Sequence, residues 1–210
     1  PLLRKDILEI IRTLKVRGFS DISMVTNGVL LGGYAALLKE AGLDRINIGC
    51  DSRELNFLKN EKDISAGLSA AIKVGLSPIK LNMIVMKGLN EHEIESMMHF
   101  AGKNSAILQL IELINFGSAD NNEFYKKRYF SLEAVEKNLE QKAKKILVKS
   151  MQNRKQYDLG DVIVEVVRPF HNNFCENCTR IRVTSDVKIK PCLMRNDNLV
   201  AFDGEDSLRK

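Results

Sequence analysis

The sequence predicts an α/β protein with two parts, a parallel sheet with helical crossovers in residues 1–116 and an α+β extension in residues 117–210. The first part contains four strand patterns separated by helical patterns, which favours parallel strands joined by right-handed crossovers. These strands are almost continuously apolar, as expected for burial on both faces. The second part contains strand patterns without helices between them, which is typical of antiparallel pairing. The patterns alone do not distinguish a barrel from an open doubly wound sheet.

Helix caps and apolar spacing define the elements of the first part. Asp6 with Glu9, and Asn90 with Glu93, each predict a capping box at the start of a helix. Leucines continue at helical spacing after residues 27–28, so a strand–turn–helix unit is favoured over a hairpin there. The predicted strands cover residues 22–26, 45–50, 79–86 and 107–114. The predicted helices lie between residues 6 and 18, between 28 and 42, from 63 to 75, and from 90 through 98.

A polar loop at residues 117–122 opens the second part. A helix capped by Ser131 is predicted over residues 131–144. The basic run 126–128 is interpreted as a solvated loop. The predicted strands of this part cover residues 146–151, 162–167, 181–184 and 188–190.

The composition is that of an ordinary globular protein and excludes several classes. The chain has 210 residues, 44% hydrophobic and 28% charged, with a net charge of +5 and a pI of about 9.0. This mild positive charge permits a phosphate-bearing ligand without requiring nucleic acid. No apolar run reaches the length of a membrane span, and no signal-peptide pattern is present. We therefore expect a cytoplasmic protein with reduced thiols.

Residues 174–192 contain the strongest chemical signal. Cys175, Cys178 and Cys192 follow a C-x2-C-x13-C spacing, which is typical of a metal site. Three thiolates fit an iron–sulfur cluster in which one iron is left free for a substrate atom. A closed zinc site needs four ligands, and His171 would complete a Cys3His set. A disulfide is the third alternative, although nothing in the sequence points to an oxidising compartment.

Three basic residues are candidates for binding an anion. Arg180 and Arg182 alternate on a predicted strand beside the second cysteine, so both are expected to face the same side and to hold an anionic ligand near the metal. Lys80 lies in a strand with little other charge and needs a partner. A phosphate would serve, and an exposed strand edge is the simpler explanation. The remaining cysteine, Cys50, is interpreted as a small buried hydrophobe.

Together these motifs resemble the radical S-adenosylmethionine GTP 3′,8-cyclase family of molybdenum cofactor biosynthesis. The most specific match is segment 174–186 with Pro191-Cys192-Leu193, which looks like the family's second-cluster motif. Residues 1–6 look like those that follow the family's Gly-Gly-Glu strand. Further segments fall in the family's order and spacing, namely 25–28, 45–51, 80–83 and 87–90, and three others look closest to archaeal members, namely 110–113, 124–127 and 166–168.

The resemblance implies a partial, incomplete TIM-like barrel in residues 1–116 with a lateral α+β extension in residues 117–210. It implies a [4Fe–4S] cluster on Cys175, Cys178 and Cys192, whose open iron binds the guanine of GTP. The GTP-contacting positions of the family match Val25, Lys80, Arg180, Ile181 and Arg182. Gly49 matches a position that contacts S-adenosylmethionine.

The resemblance also implies the reaction and the partners of the full-length protein. In this family, a radical derived from S-adenosylmethionine converts GTP to (8S)-3′,8-cyclo-7,8-dihydroguanosine 5′-triphosphate. Cyclic pyranopterin monophosphate synthase then acts on the product. The implied cofactors are the [4Fe–4S] cluster and S-adenosylmethionine. A homodimer is one option for the assembly, and neither a membrane nor nucleic acid is expected as a partner.

The sequence departs from the family in several places. The family's C-x3-C-x2-C motif for the first cluster does not occur in these residues, so we expect this chain alone to be inactive. We interpret it as a fragment rather than a decayed copy, because the second-cluster motif is intact. Gly49 replaces a serine, which leaves only a backbone contact, and Val25 replaces the usual threonine. The alternatives are a zinc-stabilised module that binds nucleotide or nucleic acid without catalysis, and another radical enzyme with an auxiliary cluster.

Overall fold

The computed structural model describes residues 1–51, 61–115, 123–169, 171 and 173–201. The helices are α1 (Ile7–Val16), α2 (Leu31–Ala41), α3 (Glu61–Lys73), α4 (Ile94–Lys103), α5 (Glu123–Arg128) and α6 (Glu133–Lys142). The strands are β1 (Ser23–Thr26), β2 (Arg45–Gly49), β3 (Ile79–Val85), β4 (Ile107–Glu112), β5 (Lys145–Val148), β6 (Lys155–Asp158), β7 (Ile163–Val167), β8 (Arg182–Val183), β9 (Lys188–Lys190) and β10 (Val200–Ala201). Single 3₁₀ turns lie at Glu91–Glu93 and Met151–Asn153.

Seven strands form one mixed sheet in the order β1-β2-β3-β4-β7-β6-β5. The pairs from β1 to β4 are parallel, and so is β4 with β7, which confirms the predicted α/β class. Strands β5 and β6 then continue the sheet in antiparallel fashion. The antiparallel strands of the second part therefore extend the sheet of the first. Strands β8, β9 and β10 form a separate small antiparallel sheet.

The order of β1 to β4 follows the chain without reversal. Right-handed crossovers between such strands put their helices on the same face of the sheet. A doubly wound sheet would instead reverse its strand order and carry helices on both faces. Accordingly, α2 packs against α3 and α1 against α2, and the core lies between these helices and the sheet.

The other face of the sheet is polar, so the prediction of apolar burial on both faces is wrong. Burial alternates strictly along β3, where Ile79, Leu81, Met83 and Val85 are buried. Between them, polar side chains point to the opposite face. A row of register partners crosses this face, running through Asn82, Gln109, Glu165 and Gln156.

Neither predicted capping box forms. Asp6 makes no side-chain cap bond and pairs with Arg4 at 2.6 Å. Asn90 is fully buried and joins loop segments instead. Its Oδ1 accepts the Met86 N–H at 2.7 Å, and its Nδ2 donates to the Ile84 carbonyl at 2.8 Å. The fourth helix consequently begins at residue 94, after a 3₁₀ turn.

Other predictions are corrected in the second part of the chain. The basic run 126–128 belongs to α5 and is not a loop. Ser131 lies one residue before the N-cap of α6, although its Oγ accepts the Glu133 N–H at 3.3 Å. Strand β6 was not predicted. The predicted polar loop at 117–122 lies outside the described residues. Among the residues that are described, no helix is both long and apolar enough to cross a membrane.

Candidate functional site

A cavity of about 410 Å³ lies between the polar face of the sheet and the segment that carries the cysteines. Strands β1 to β4 and β7, the turn at Met151–Asn153 and residues 174–194 supply its walls. Three groups of lining residues matter chemically. They are the thiols Cys175, Cys178 and Cys192, the guanidinium groups Arg154, Arg180 and Arg182, and the amides Asn47, Asn82, Gln109 and Gln152.

Glu165 anchors the floor of this cavity. Its side chain is fully buried on β7 and forms ion pairs with Lys80 at 2.6 Å and with Arg154 at 2.7 Å. The amides of Gln109 and Gln156 also donate to it, so each carboxylate oxygen accepts two hydrogen bonds. Burial raises the pKa of Glu165, but the two cations and the hydrogen bonds outweigh this effect, so the pKa lies below its usual range.

Lys80 is neither at an exposed strand edge nor in the lining of the cavity. Its side chain is 11% exposed and lies on the polar face of the sheet, where Glu165 is its partner. Burial lowers the pKa of Lys80 in spite of the attraction of that carboxylate. The expectation that Lys80 lies at an exposed strand edge is therefore wrong. Its partner is the carboxylate of Glu165, in the second part of the chain.

All three predicted cysteine ligands are free thiols on the same cavity. The backbone N–H of Arg180 stabilises the thiolate of Cys178 most strongly, and Gln152 adds an Nε2–Sγ contact of 3.5 Å. Together with the nearby guanidinium groups, these contacts outweigh burial and lower the pKa of Cys178. Thiols that favour the thiolate form are the ligands that an iron–sulfur cluster requires.

The zinc alternative requires His171 beside the three cysteines. Among the described residues, no three His, Cys, Asp or Glu side chains converge closely enough to hold one metal ion. His171 is not in the lining of the cavity that the three cysteines share, and its Nε2 lies 4.0 Å from a carboxylate oxygen of Glu112. The Cys3His zinc alternative therefore gains no support from the structure.

Arg180 and Arg182 both line the cavity, although only Arg182 belongs to a strand. Partial burial lowers the pKa of Arg180, and repulsion from Arg154 and Arg182 lowers it further. The Nη1 of Arg182 is buried without a hydrogen-bond partner. A bound anion would offset the repulsion among these guanidinium groups and supply a hydrogen-bond acceptor for Arg182 Nη1.

The other predicted site residues do not all line the cavity. Val25 lines the cavity, next to Asn47 in register. Ile181 is 72% exposed, and neither it nor Gly49 belongs to the lining. Gly49 pairs in register with Asn82 at the end of β2. Cys50 is buried, as predicted.

Sequence reasoning missed the amides of the sheet and the pair Arg154–Glu165. Four buried side-chain atoms that line the cavity lack a hydrogen-bond partner: Asn47 Oδ1, Asn82 Oδ1, Arg154 Nε and Arg182 Nη1. Native proteins pair nearly all such atoms, so a cluster of exceptions points to a ligand. The available signal was a polar residue inside each of several apolar strands.

Comparisons with known proteins show which families this chain resembles. The Radical SAM superfamily matches residues 1–101, and the Molybdenum Cofactor Synthesis C family matches residues 106–209. A protein of Methanothermobacter thermautotrophicus named "Probable GTP 3′,8-cyclase" is 43% identical over 218 residues, which covers 100% of this chain and 70% of that protein. Proteins of the same name from Methanothermobacter marburgensis and Pyrococcus horikoshii are each 44% identical, over 95% and 97% of this chain and 68% and 69% of their own lengths.

Proposed function

The chain belongs to the GTP 3′,8-cyclase family of radical S-adenosylmethionine enzymes, and we propose that its cavity binds GTP beside an iron–sulfur cluster. The observation that carries this proposal is the meeting of three free thiols and three guanidinium groups on one cavity with a polar floor. The reaction would be the one that gives the relatives their name. It would convert GTP to (8S)-3′,8-cyclo-7,8-dihydroguanosine 5′-triphosphate in molybdenum cofactor biosynthesis.

Cys175, Cys178 and Cys192 would hold a [4Fe–4S] cluster in this proposal. When bound, the cluster supplies an iron without a protein ligand, at which the guanine base can bind. S-adenosylmethionine would supply the radical, and we propose that the backbone of Gly49 contacts it.

The basic residues would bind and orient the nucleotide. Arg180 and Arg182 present fixed positive charge beside the thiols, and the guanidinium fork matches the geometry of phosphate oxygens. Lys80 would add positive charge from the polar face of the sheet, outside the cavity lining. Val25 would contribute an apolar contact from the lining, and the exposed Ile181, between the two arginines, would add another when the nucleotide is bound. Holding a substrate in one orientation accounts for much of a catalyst's effect.

We also propose that β1 to β4 and β7 form part of an incomplete TIM-like barrel. The consecutive strand order and the helices on one face support this architecture. The polar face would then be the inner face of the barrel. In such folds, functional residues gather at the carboxyl ends of the strands. Cyclic pyranopterin monophosphate synthase is the proposed partner that consumes the product, and a homodimer is the proposed assembly.

The proposal is tested by metal analysis and nucleotide binding after anaerobic reconstitution. We expect about four irons with matching sulfide per chain. The double variant Arg180→Ala/Arg182→Ala should keep this iron but lose at least about 100-fold in GTP affinity, since each charged hydrogen bond contributes about 1.5–3 kcal/mol. Arg17→Ala, on the exposed end of α1, is the matched control and should bind GTP normally. A single tightly held zinc, or GTP affinity that the double variant leaves intact, would contradict the proposal.

A further inference from the structure

Arg154 is a guanidinium group of the cavity to which the sequence motifs assign no role. It precedes β6, and its side chain is only 12% exposed. Its carbonyl accepts the Lys149 N–H at 2.8 Å, which fixes its backbone in the β5–β6 hairpin. Its Nη1 binds Glu165 at 2.7 Å, yet its Nε is buried without a hydrogen-bond partner. One edge of the guanidinium is thus held by the protein while its Nε–H lacks a partner.

The turn that presents Arg154 has an unusual backbone. Gln152 and Asn153 both adopt positive φ, at 62° and 50°, which non-glycine residues rarely do. The N–H of Gln152 donates to the Asn177 carbonyl at 2.7 Å, so the turn is tied to the cysteine segment. Such conformations persist where the surrounding structure determines them, and they are enriched at binding sites. The side chains on either side of Asn153, those of Gln152 and Arg154, both line the cavity.

The charges around Arg154 do not balance within the described residues. Lys80 and Arg154 share the single carboxylate of Glu165, which leaves one positive charge over. Arg180 and Arg182 add two more, and among the described residues no Asp or Glu lines the cavity. A cluster on three thiolates is itself anionic and would take up only part of this charge. Burying unpaired charge is costly, so the cavity suits a ligand with several negative charges.

We propose that Arg154 is a further substrate-binding residue, whose guanidinium group donates from the cavity wall to a phosphate oxygen of the nucleotide triphosphate. This inference rests on the proposed function, since it names the part of GTP that the residue contacts. Glu165 holds the guanidinium in place through Nη1, at a position where Arg154 lines the cavity. Arg154 therefore adds affinity for the phosphate chain and none for the guanine base.

The test compares GTP with guanosine, measured by equilibrium binding to the reconstituted chain. Arg154→Gln should lower GTP affinity by about 10-fold or more, the effect of one charged hydrogen bond. Guanosine affinity and iron content should not change. Arg154→Lys keeps a charge partner for Glu165 but lacks the guanidinium fork, so it should show a smaller loss for GTP only. Arg17→Gln should match the unmodified chain for both ligands.

The outcomes separate this inference from the proposed function. If the unmodified chain fails to bind GTP, both are wrong. If it binds GTP and Arg154→Gln binds GTP equally well, only the role of Arg154 is wrong. Equal losses for GTP and guanosine, or a loss of iron, would assign Arg154 a purely structural role and overturn the inference. Should Arg154→Gln fail to fold by circular dichroism, Arg154→Lys supplies the same comparison of the two ligands.

Discussion

Asn82 shows how a single residue can trade stability for binding. Its Oδ1 is buried on the polar face of the sheet without a hydrogen-bond partner. Leaving a buried acceptor unpaired costs about 1–3 kcal/mol. A protein can retain such an unpaired acceptor when a ligand supplies the missing donor. Asn82 lines the cavity beside Gln109, where a ligand could do so. A hydroxyl group of the nucleotide ribose is a donor of the required kind.

Asn82→Leu should therefore stabilise the chain and weaken nucleotide binding. The apolar side chain removes the unpaired oxygen, so we expect the free energy of unfolding to rise by about 1 kcal/mol in urea titrations. GTP affinity, measured on the same preparation, should fall. Asn198→Leu is the matched control, because its Oδ1 is also buried and unpartnered but lies outside the cavity. It should gain stability with unchanged GTP affinity. An Asn82→Leu protein that binds GTP normally would refute this role.

Individual site residues differed in how far the sequence could predict them. The cysteines and Arg180 lie close together in the chain, so their spacing carries the signal. Arg154 and Glu165 are separated by a strand turn and meet only because β6 pairs with β7. Their partnership depends on strand order, which local patterns do not contain. The same holds for Lys80, whose partner is 85 residues away.

At the scale of elements, the contact between α2 and α3 depends on a glycine. A Cβ atom at Gly67 of α3 would lie 2.6 Å from the carbonyl oxygen of Gly28 and 3.0 Å from Leu31. Gly28 follows β1, whose residue Val25 lines the cavity. The close approach of the two helices therefore also fixes the loop beside the candidate site.

Gly67→Ala should destabilise the chain by about 1–3 kcal/mol, because the helices must separate to admit the methyl group. Gly33→Ala is the matched control within α2, where an added Cβ meets nothing within 4 Å. That substitution should stabilise the chain by about 0.5–1 kcal/mol through helix propensity. Thermal unfolding by circular dichroism measures both. If the two variants shift the midpoint in the same direction, the close contact at Gly67 is not the determining factor.

Elements were predictable where one apolar face sufficed to define them. The spacing of Ile7 to Leu14 predicted α1, and the apolar run of β3 predicted that strand. Strand β6 escaped prediction because its sequence, Lys-Gln-Tyr-Asp, has no apolar alternation. Its pairing with β5 and β7 makes it a strand. The capping boxes failed for a similar reason, since Asn90 binds backbone groups that the fold brings to it.

At the scale of the whole molecule, the sheet joins both parts of the chain into one structure. Strand β7 comes from the second part and pairs with β4 of the first over five residues. Glu165 reinforces this junction, since it binds side chains from β3, β4 and β6. The division at residues 116 and 117 stays a prediction, but the sheet itself crosses it. We therefore expect both parts to unfold in one cooperative transition.

Acid should weaken this junction through Glu165. Lys80, Arg154 and the amides of Gln109 and Gln156 face this carboxylate and keep its pKa below the usual range in the folded chain. Its contribution to stability is then fully present above the unfolded value of about 4.3, and it is lost as pH falls from there through the lower folded pKa. Glu165→Gln should lack this part of the acid dependence. At neutral pH it should also be less stable by about 3 kcal/mol or more, because Lys80 and Arg154 lose their counter-charge.

Urea unfolding between pH 7 and pH 3 tests this expectation with a matched control. Glu40→Ala removes a carboxylate from the exposed end of α2 and should follow the unmodified chain at every pH. Glu165→Gln should start lower and lose less stability below about pH 4.3. Parallel curves for Glu165→Gln and the unmodified chain would mean that other carboxylates control acid unfolding. If the Glu165→Gln chain is as stable as the unmodified one at pH 7, Lys80 and Arg154 do not need Glu165 as a counter-charge. The excess positive charge that makes the cavity attractive to phosphate would then have a different origin.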